Sequence, residues 1–197
     1  MKKKIILIGT GGHAVSCIDV IESTKKFEIV GLIDKSKKQY LNVGNKKYRI
    51  FNEKNYLENK IAKYALICIG SDKLISKRNY LFEKYKKLGF DFPSIISPLA
   101  YVSKSSHVGK GSIVMHGAII NANVKIGLNC IINTKCLVEH DCRIGNNSHI
   151  ATSANINGHV SIEKNCFIGS NTTIVPSVRI KENTFIKAFK LIKKNYE

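Results

Sequence analysis

From residue 101 onward a branched aliphatic residue returns at every sixth position. Cut into sixes, the chain reads YVSKSS HVGKGS IVMHGA IINANV KIGLNC IINTKC LVEHDC RIGNNS HIATSA NINGHV SIEKNC FIGSNT TIVPSV RIKENT FIKAFK LIKKNY. The second residue of all sixteen blocks is Val or Ile, from Val102 to Ile192. The sixth is Ser, Ala, Val, Cys or Thr in fourteen blocks and fails only at Lys190 and Tyr196. A strict hexapeptide period predicts a parallel β-helix. Each block makes one short strand and one corner. The stiff branched side chain points into the prism, and the small residue fits beneath the corner. Sixteen blocks at three per triangular coil give about five coils, a prism roughly 25 Å tall at the usual strand spacing.

Residues 1–98 follow another pattern. KKIILIGTGGHAVSCIDVIES predicts an apolar strand, a glycine turn and an amphipathic helix. FEIVGLID predicts a second strand ending at Asp34, and YALICIGSD a third ending at Gly70. Residues 73–88 predict a basic helix, with Leu74, Arg78, Leu81 and Tyr85 at helical spacing, and FPSIIS predicts a fourth strand. Alternation of strand and helix predicts a small Rossmann-like α/β domain with a parallel sheet. The expected organisation is therefore an α/β domain over 1–98 and a β-helix over 99–197, joined near Pro98.

Composition narrows the setting. A hydrophobic fraction of 44% suffices for a packed core. The start, MKKKIILIGTGGHA, imitates a signal peptide, but its apolar run, Ile5 to Ile8, is too short. No stretch approaches the ~20 apolar residues of a membrane span, so a soluble cytoplasmic protein is expected. The six cysteines form no C-x-x-C pair. Cys130, Cys136, Cys142 and Cys166 are spaced by multiples of six, which predicts buried corner slots and no disulfide framework. The formal charge of +18 calls for an anionic partner. The lysines are scattered without interleaved aromatics, which argues against nucleic acid and leaves anionic small molecules such as nucleotides or coenzyme A.

Two stretches carry candidate chemistry. GTGGH, Gly9 to His13, follows a strand and opens a helix, where backbone N–H groups can face an anion. The dinucleotide fingerprint G-x-G-x-x-G fails because residue 14 is Ala. A nucleotide or sugar-nucleotide site at the carboxyl edge of the sheet, an NAD site and a plain tight turn remain open, the first being favoured. Asp34 and Gly70 end neighbouring strands on that edge, and Asp34 is a candidate acceptor for a ribose hydroxyl or a base N–H. The second stretch, CLVEHDCRIGNNSHIATSANINGHV, holds His140, His149 and His159. His140 occupies block position four, where a corner projects it outward. A histidine's unperturbed pKa of ~6.5 suits a base at neutral pH, and a neighbouring carboxylate raises it and fixes the tautomer. His107, His116 and His159 are expected to be surface or interface residues. No H-x-x-x-x-H or H-E-x-x-H spacing exists on which to build three ligands, so no metal is expected.

GTGGHA in a short α/β domain, followed by hexapeptide repeats carrying EHD, resembles the sugar O-/N-acyltransferases of the left-handed β-helix class. These include the acetyltransferases of sialic acid and of UDP-4-amino sugars in the bacillosamine pathway. The resemblance covers almost the whole chain and is most specific over IINTKCLVEHDCRIGNNSHIATSANINGHVSIEKNCFIGSN. It implies a left-handed prism, against the usual right-handed crossover preference. It implies His140 as general base with Asp141 tuning it. It also implies His149, Gly158, Ser170 and Ala188 as contacts for acetyl-CoA, the Gly158 N–H facing the thioester carbonyl. Substrate contacts map to Gly11, Gly12, His13, Asp34, Gly70 and Asn133. The implied reaction is transfer of acetyl from acetyl-CoA to the amino group of a nucleotide-activated deoxy-amino sugar, by direct attack in a ternary complex. Inward corner cysteines make poor nucleophiles for an acyl-enzyme. O-acetylation of a sialic-acid-type sugar, or a non-catalytic sugar-nucleotide-binding trimer, are the alternatives. The end, FIKAFKLIKKNYE, departs from the family's glycine-rich last coil, with Lys187, Ala188, Phe189 and Lys190 in its place. Lys187 and Lys190 are candidates to pair with coenzyme phosphates. His140 and His149 are nine residues apart, half of an eighteen-residue coil. They therefore cannot converge within one chain, and a homotrimer with active sites between subunits is expected.

Overall fold

The computed structural model of the protein describes residues 2–70 and 75–196; Leu74, expected on the basic helix, lies outside them. The first half runs β1 (Lys3–Ile8), α1 (Gly12–Thr24), β2 (Phe27–Ile33), β3 (Tyr40–Val43), β4 (Lys46–Phe51), α2 (Glu53–Glu58), β5 (Tyr64–Ile67) and α3 (Ile75–Lys87). The sheet order is β3-β4-β2-β1-β5. All pairings are parallel except β3 with β4. Ile5 to Ile8 are all buried in the central strand β1, as a strand covered on both faces requires. One irregularity falls between Ile5 and Ile6, opposite Gly31. Gly31 has φ +147°, and a Cβ there would lie 2.6 Å from the Arg49 carbonyl oxygen, so only glycine fits. The β3–β4 hairpin and α2 were not foreseen from the sequence. The hairpin lies at the sheet edge, where few side chains are buried and the apolar pattern is faint.

The strands β1, β2 and β5 end together. Gly9 follows β1 and donates to Ile33 O at 2.9 Å, and Cys68 N donates to Ile8 O at 2.8 Å. GTGGH, Asp34 and Gly70 therefore share one edge of the sheet. Among the described residues no helix is long and apolar enough to cross a membrane.

The second half is a left-handed β-helix. Its sixteen two-residue strands run from Tyr101–Val102 to Leu191–Ile192, one for each block. Strands eighteen residues apart pair in parallel and build three faces. The first face holds the strands beginning at 113, 131, 149, 167 and 185. The second holds those at 101, 119, 137, 155, 173 and 191, and the third those at 107, 125, 143, 161 and 179. One expectation needs correction. The FPSIIS strand, β6 (Ile95–Ile96), pairs with Ile113–Val114 and is the first rung of the first face, not a strand of the α/β sheet. The chain makes a single bridge to β5, Tyr64 with Asp91. Pro93 then follows, and a residue without an N–H cannot extend a ladder.

The valines and isoleucines at block position two form the prism core, each worth ~1.5–3 kcal/mol of burial. Cys130, Cys136, Cys142 and Cys166 fill corner slots and are at most 1% exposed. Their thiols face backbone carbonyls, for example Cys136 Sγ to Ala151 O at 2.9 Å and Cys142 Sγ to Asn157 O at 3.0 Å. Burial pushes the Cys136 thiol up to about 12 and the Cys142 thiol to about 11, consistent with inert packing residues. Block position five adopts the left-handed conformation from Asn123 to Phe189, with φ between +54° and +64°. Asparagine tolerates that conformation best among non-glycine residues. At the corner between third and first faces it also forms a side-chain ladder, Asn129 to Asn147 to Asn165 to Asn183, with bonds of 3.0, 3.1 and 3.0 Å.

The α/β domain sits on the first face. Ile95, Ile113, Met115 and Ile131 share a core with Ala14, Cys17, Ile18 and Ile21 of α1. Arg78 of α3 is fully buried and ties the two halves together, donating to Ile67 O at 2.6 Å, Ile69 O at 3.1 Å and Asn129 O at 3.3 Å. His116 bridges the same junction, with Asp19 at 3.0 Å and Ser97 Oγ at 2.6 Å, so it is an interface histidine as expected.

Candidate active site

The block LVEHDC leaves the second face at Val138 and enters the third at Arg143, which puts His140 and Asp141 at the corner between them. Asp141 adopts φ +60°, and its carboxylate turns back onto His140, Oδ2 lying 2.9 Å from Nδ1. Asn123, one coil below, donates to Asp141 Oδ1 at 3.2 Å. The hydrogen bond with His140, then that from Asn123, hold the Asp141 carboxyl below the usual carboxylate range, and nearby His159 adds to the effect. An ionised Asp141 needs the proton on His140 Nδ1, so Nε2 carries the lone pair. The His140 side chain is 53% exposed, so its ring is reachable from solvent.

Coil stacking supplies what surrounds it. Gly158 lies eighteen residues on, directly over His140. A Cβ there would be 2.8 Å from both Cε1 and Nε2 of the ring, so the imidazole rests against the glycine backbone. His159 lies over Asp141. Its N–H donates to His140 O at 3.0 Å, and its ring meets the His140 ring edge-on, 5.1 Å between centroids. One ligand-type atom from each of His140, Asp141 and His159 lies within 4.8 Å of the others. Spacing along the chain gave no such trio, because His159 arrives from the next coil. Beside the corner, on the third face, is a groove of about 640 Å³ whose lining includes Asn123, Asp141, His159 and Ser161.

A second constellation lies on the first face, beneath the carboxyl edge of the sheet. His149 points outward from its strand but is only 7% exposed, because the α/β domain covers it. Its Nε2 meets Asn133 Nδ2 at 3.2 Å. Its ring is 6.5 Å from that of His13 and edge-on to Phe167, which stacks on Phe185 at 4.8 Å. Burial, reinforced by His13 and Arg78, pushes the His149 pKa down to about 3, so the ring is neutral. His149 Nδ1 and His13 Nε2 are buried without a hydrogen-bond partner among the described residues. Gly70 adjoins His13, a Cβ on the glycine lying 3.9 Å from His13 Cβ. Gly11 and Gly12 are exposed, and an added Cβ on either would meet nothing within 4 Å. Asp34 Oδ1 accepts from Ser36 N at 2.8 Å, which fixes its carboxylate at the same edge.

The residues singled out in the sequence thus fall into two groups. His140, Asp141 and Gly158 share the corner between second and third faces. His13, Gly70, Asn133 and His149 share the junction under the α/β domain. Ser170 and Ala188 stand one coil apart at the edge between first and second faces, where Phe189 N donates to Ser170 O at 2.9 Å. Gly158, expected to face the thioester carbonyl, lies against the His140 ring. His159 and the Phe167–Phe185 stack were not singled out as site residues, although the eighteen-residue coil would have placed His159 over Asp141.

A left-handed hexapeptide prism with a histidine–carboxylate corner, joined to a small α/β domain, defines a β-helix transferase. Residues 4–84 match the family described as PglD N-terminal domain, and residues 159–194 match bacterial transferase hexapeptide (six repeats). No curated protein sequence matches the chain. Among solved structures it is similar to the acetyltransferase domain of PglB from Neisseria gonorrhoeae FA1090, with 24% identity, TM-score 0.90, and coverage of 100% of this chain and 94% of that one. It is similar to perosamine N-acetyltransferase from Caulobacter crescentus, solved as a histidine-to-asparagine variant in complex with CoA and GDP-perosamine. There the identity is 28%, the TM-score 0.89, and the coverage 98% and 90%. It is also similar to WeeI from Acinetobacter baumannii AYE, at 20% identity, TM-score 0.84, and 99% and 93% coverage. The chain thus joins a PglD-type N-terminal domain to the hexapeptide repeats of bacterial transferases, and it is an acetyltransferase.

Proposed function

We propose that the protein transfers acetyl from acetyl-CoA to the amino group of a nucleotide-activated deoxy-amino sugar. The observation that carries this reading is the His140 ring, oriented by Asp141 through Nδ1 at 2.9 Å and seated on Gly158. The likeness to perosamine N-acetyltransferase, at 28% identity and captured with CoA and GDP-perosamine, supports an amine acceptor on a nucleotide sugar. In this reading residues 1–98 bind the nucleotide sugar through Gly11, Gly12, His13, Asp34 and Gly70, with Asn133 beside them. Residues 99–197 carry the acyl transfer. His149, Gly158, Ser170 and Ala188 contact acetyl-CoA, and the reaction takes place in the cytoplasm.

The amine attacks the thioester carbonyl directly. Nε2 of His140 takes the proton that the amine loses, and the imidazolium is stabilised by Asp141. The Gly158 N–H, which makes no backbone hydrogen bond among the described residues, donates to the tetrahedral oxyanion. Collapse forms the amide, breaks the C–S bond and returns the proton to the coenzyme A sulfur. No residue is acylated. His140 and His149 lie on different sides of a filled prism, so both reach one transfer point only when the corner of one chain approaches its neighbour's junction of first face and α/β domain, where His149 lies. A cyclic homotrimer repeats that contact three times.

Free-thiol release with a panel of UDP-, GDP- and CMP-linked amino sugars tests the activity, and silence with every acceptor overturns it. Release only with hydroxyl acceptors moves the reading to O-acetylation. For the assembly, inactive His140→Ala chains are mixed with inactive His149→Ala chains. Shared sites restore part of the activity on exchange, and a fully active monomer by light scattering refutes the trimer.

A further inference from the structure

The outward positions of the third face include three cations. The second residue of each of its strands points inward, so the first points out: His107, Lys125, Arg143, Ser161 and Arg179. Parallel register sets Lys125 beside His107 and Arg143, and Arg143 beside Ser161, each step being ~4.8 Å. Like charges opposite one another on a ladder repel. Further along the column Arg179 has a carboxylate partner: its Nε donates to Glu163 Oε1 at 2.9 Å. Lys125 and Arg143 have no such partner. Among the described residues neither forms a salt bridge. Both line the groove of about 640 Å³ beside His140. The carboxylate in that lining, Asp141, is already held by His140 and Asn123.

We infer that this groove is a phosphate-binding site in which Lys125 and Arg143 bracket a diphosphate. The guanidinium offers two parallel N–H donors to phosphate oxygens and the ammonium a point charge. The Ser161 hydroxyl and the Asn123 side chain border the same space. An anion between the cations converts their repulsion into attraction, which accounts for two adjacent charges left uncompensated on an otherwise ordinary ladder. The inference rests on the proposed activity for its source of phosphate. Both substrates of that reaction, coenzyme A and a nucleotide sugar, carry a diphosphate, and a groove abutting His140 holds it next to the transfer point without crossing the prism core.

The test separates the site from the activity. Isothermal titration at low ionic strength measures inorganic pyrophosphate binding to the whole protein, without turnover. Arg143→Gln and Lys125→Gln are each expected to weaken it by about tenfold or more, the worth of a lost charged hydrogen bond. Lys135→Gln, an exposed lysine at another corner, is expected to bind as the wild type does. Thermal melts without ligand check folding, and Arg143→Gln should melt no lower than wild type because a repulsion is removed. Unchanged pyrophosphate affinity in both groove variants overturns the site, whatever the enzyme acetylates. Steady-state kinetics then assign the source. A rise in KM for acetyl-CoA alone places the coenzyme diphosphate there, and a rise for the nucleotide sugar alone places the sugar's. Lost pyrophosphate binding with both KM values unchanged overturns the role in substrate binding.

Discussion

His140 and His149 lie nine residues apart on one prism, and their surroundings are opposite. His140 stands at a corner, half in solvent, with a carboxylate on Nδ1 and a glycine beneath the ring. His149 stands on a flat face roofed by a second domain, with His13 and Arg78 nearby and, among the described residues, no carboxylate bonded to its ring. The contrast follows from place in the six-residue block. Position four is a corner and projects into solvent. Position one lies on a face, and a face can be covered. The corner leaves a ring open to solvent and oriented by a carboxylate. The covered face produces a ring that is neutral at neutral pH and there only donates or accepts hydrogen bonds.

The strongest way to break this comparison is to remove the corner imidazole. His140→Ala is expected to lower kcat by roughly 10²–10⁴, the usual contribution of a positioned base, with an unchanged thermal midpoint. Steady-state kinetics beside a melting curve check it, and equal kcat in variant and wild type would remove His140 from the chemistry. Gly158→Ala comes next. Its new Cβ collides with the His140 ring at 2.8 Å, and a displacement on the ångström scale costs up to ~10²-fold in rate. A kcat loss at constant circular dichroism is the expected signature.

The covered histidine has a signature in stability. Its folded pKa, about 3, lies below the unfolded value, so between about 6.5 and about 3 the unfolded chain binds the extra proton. Its contribution is present in full above pH 6.5 and is lost as the pH falls through that window, by up to about 1.4 kcal/mol per pH unit. Denaturant midpoints from pH 7 to 4 should therefore fall less steeply in His149→Asn than in wild type. A matching slope would mean that His149 titrates normally and that the two histidines do not differ. The smallest expected effect is at the exposed Arg179–Glu163 pair. Arg179→Ala should cost less than ~1 kcal/mol by chemical denaturation, whereas a core truncation such as Ile132→Ala should cost ~2–5 kcal/mol.

The six-residue rhythm made all sixteen prism strands from residue 101 onward readable in advance, because each inward Val or Ile repeats in an identical slot. The corner role of Cys130, Cys136, Cys142 and Cys166 was readable for the same reason. The α/β strands with continuous apolar runs, β1, β2 and β5, were equally plain. The β3–β4 hairpin was not, since Tyr40, Lys46, Lys47 and Arg49 face solvent and dilute the pattern. FPSIIS was visible as a strand, but its partner depends on a long-range choice between two sheets that no local spacing encodes. His140 and Asp141 could be read from their adjacency in the chain. His159, eighteen residues beyond Asp141, carries no such local signal and follows only from applying the coil length to Asp141. The cover over His149 was also invisible, being made by a separate domain.

The coil length also governs which changes in chain length this half can accommodate. Eighteen residues added or removed return each later side chain to the face it left, one rung displaced. Six residues rotate everything downstream by one face, which would carry the position of His149 out from under the α/β domain while leaving the core intact. A single inserted residue exchanges inward and outward positions and sends every later Val or Ile into water. The prism therefore lengthens safely only by whole turns, and a gap of any other size between this chain and a functioning homologue marks either a bulge at a corner or a site that has moved to another face.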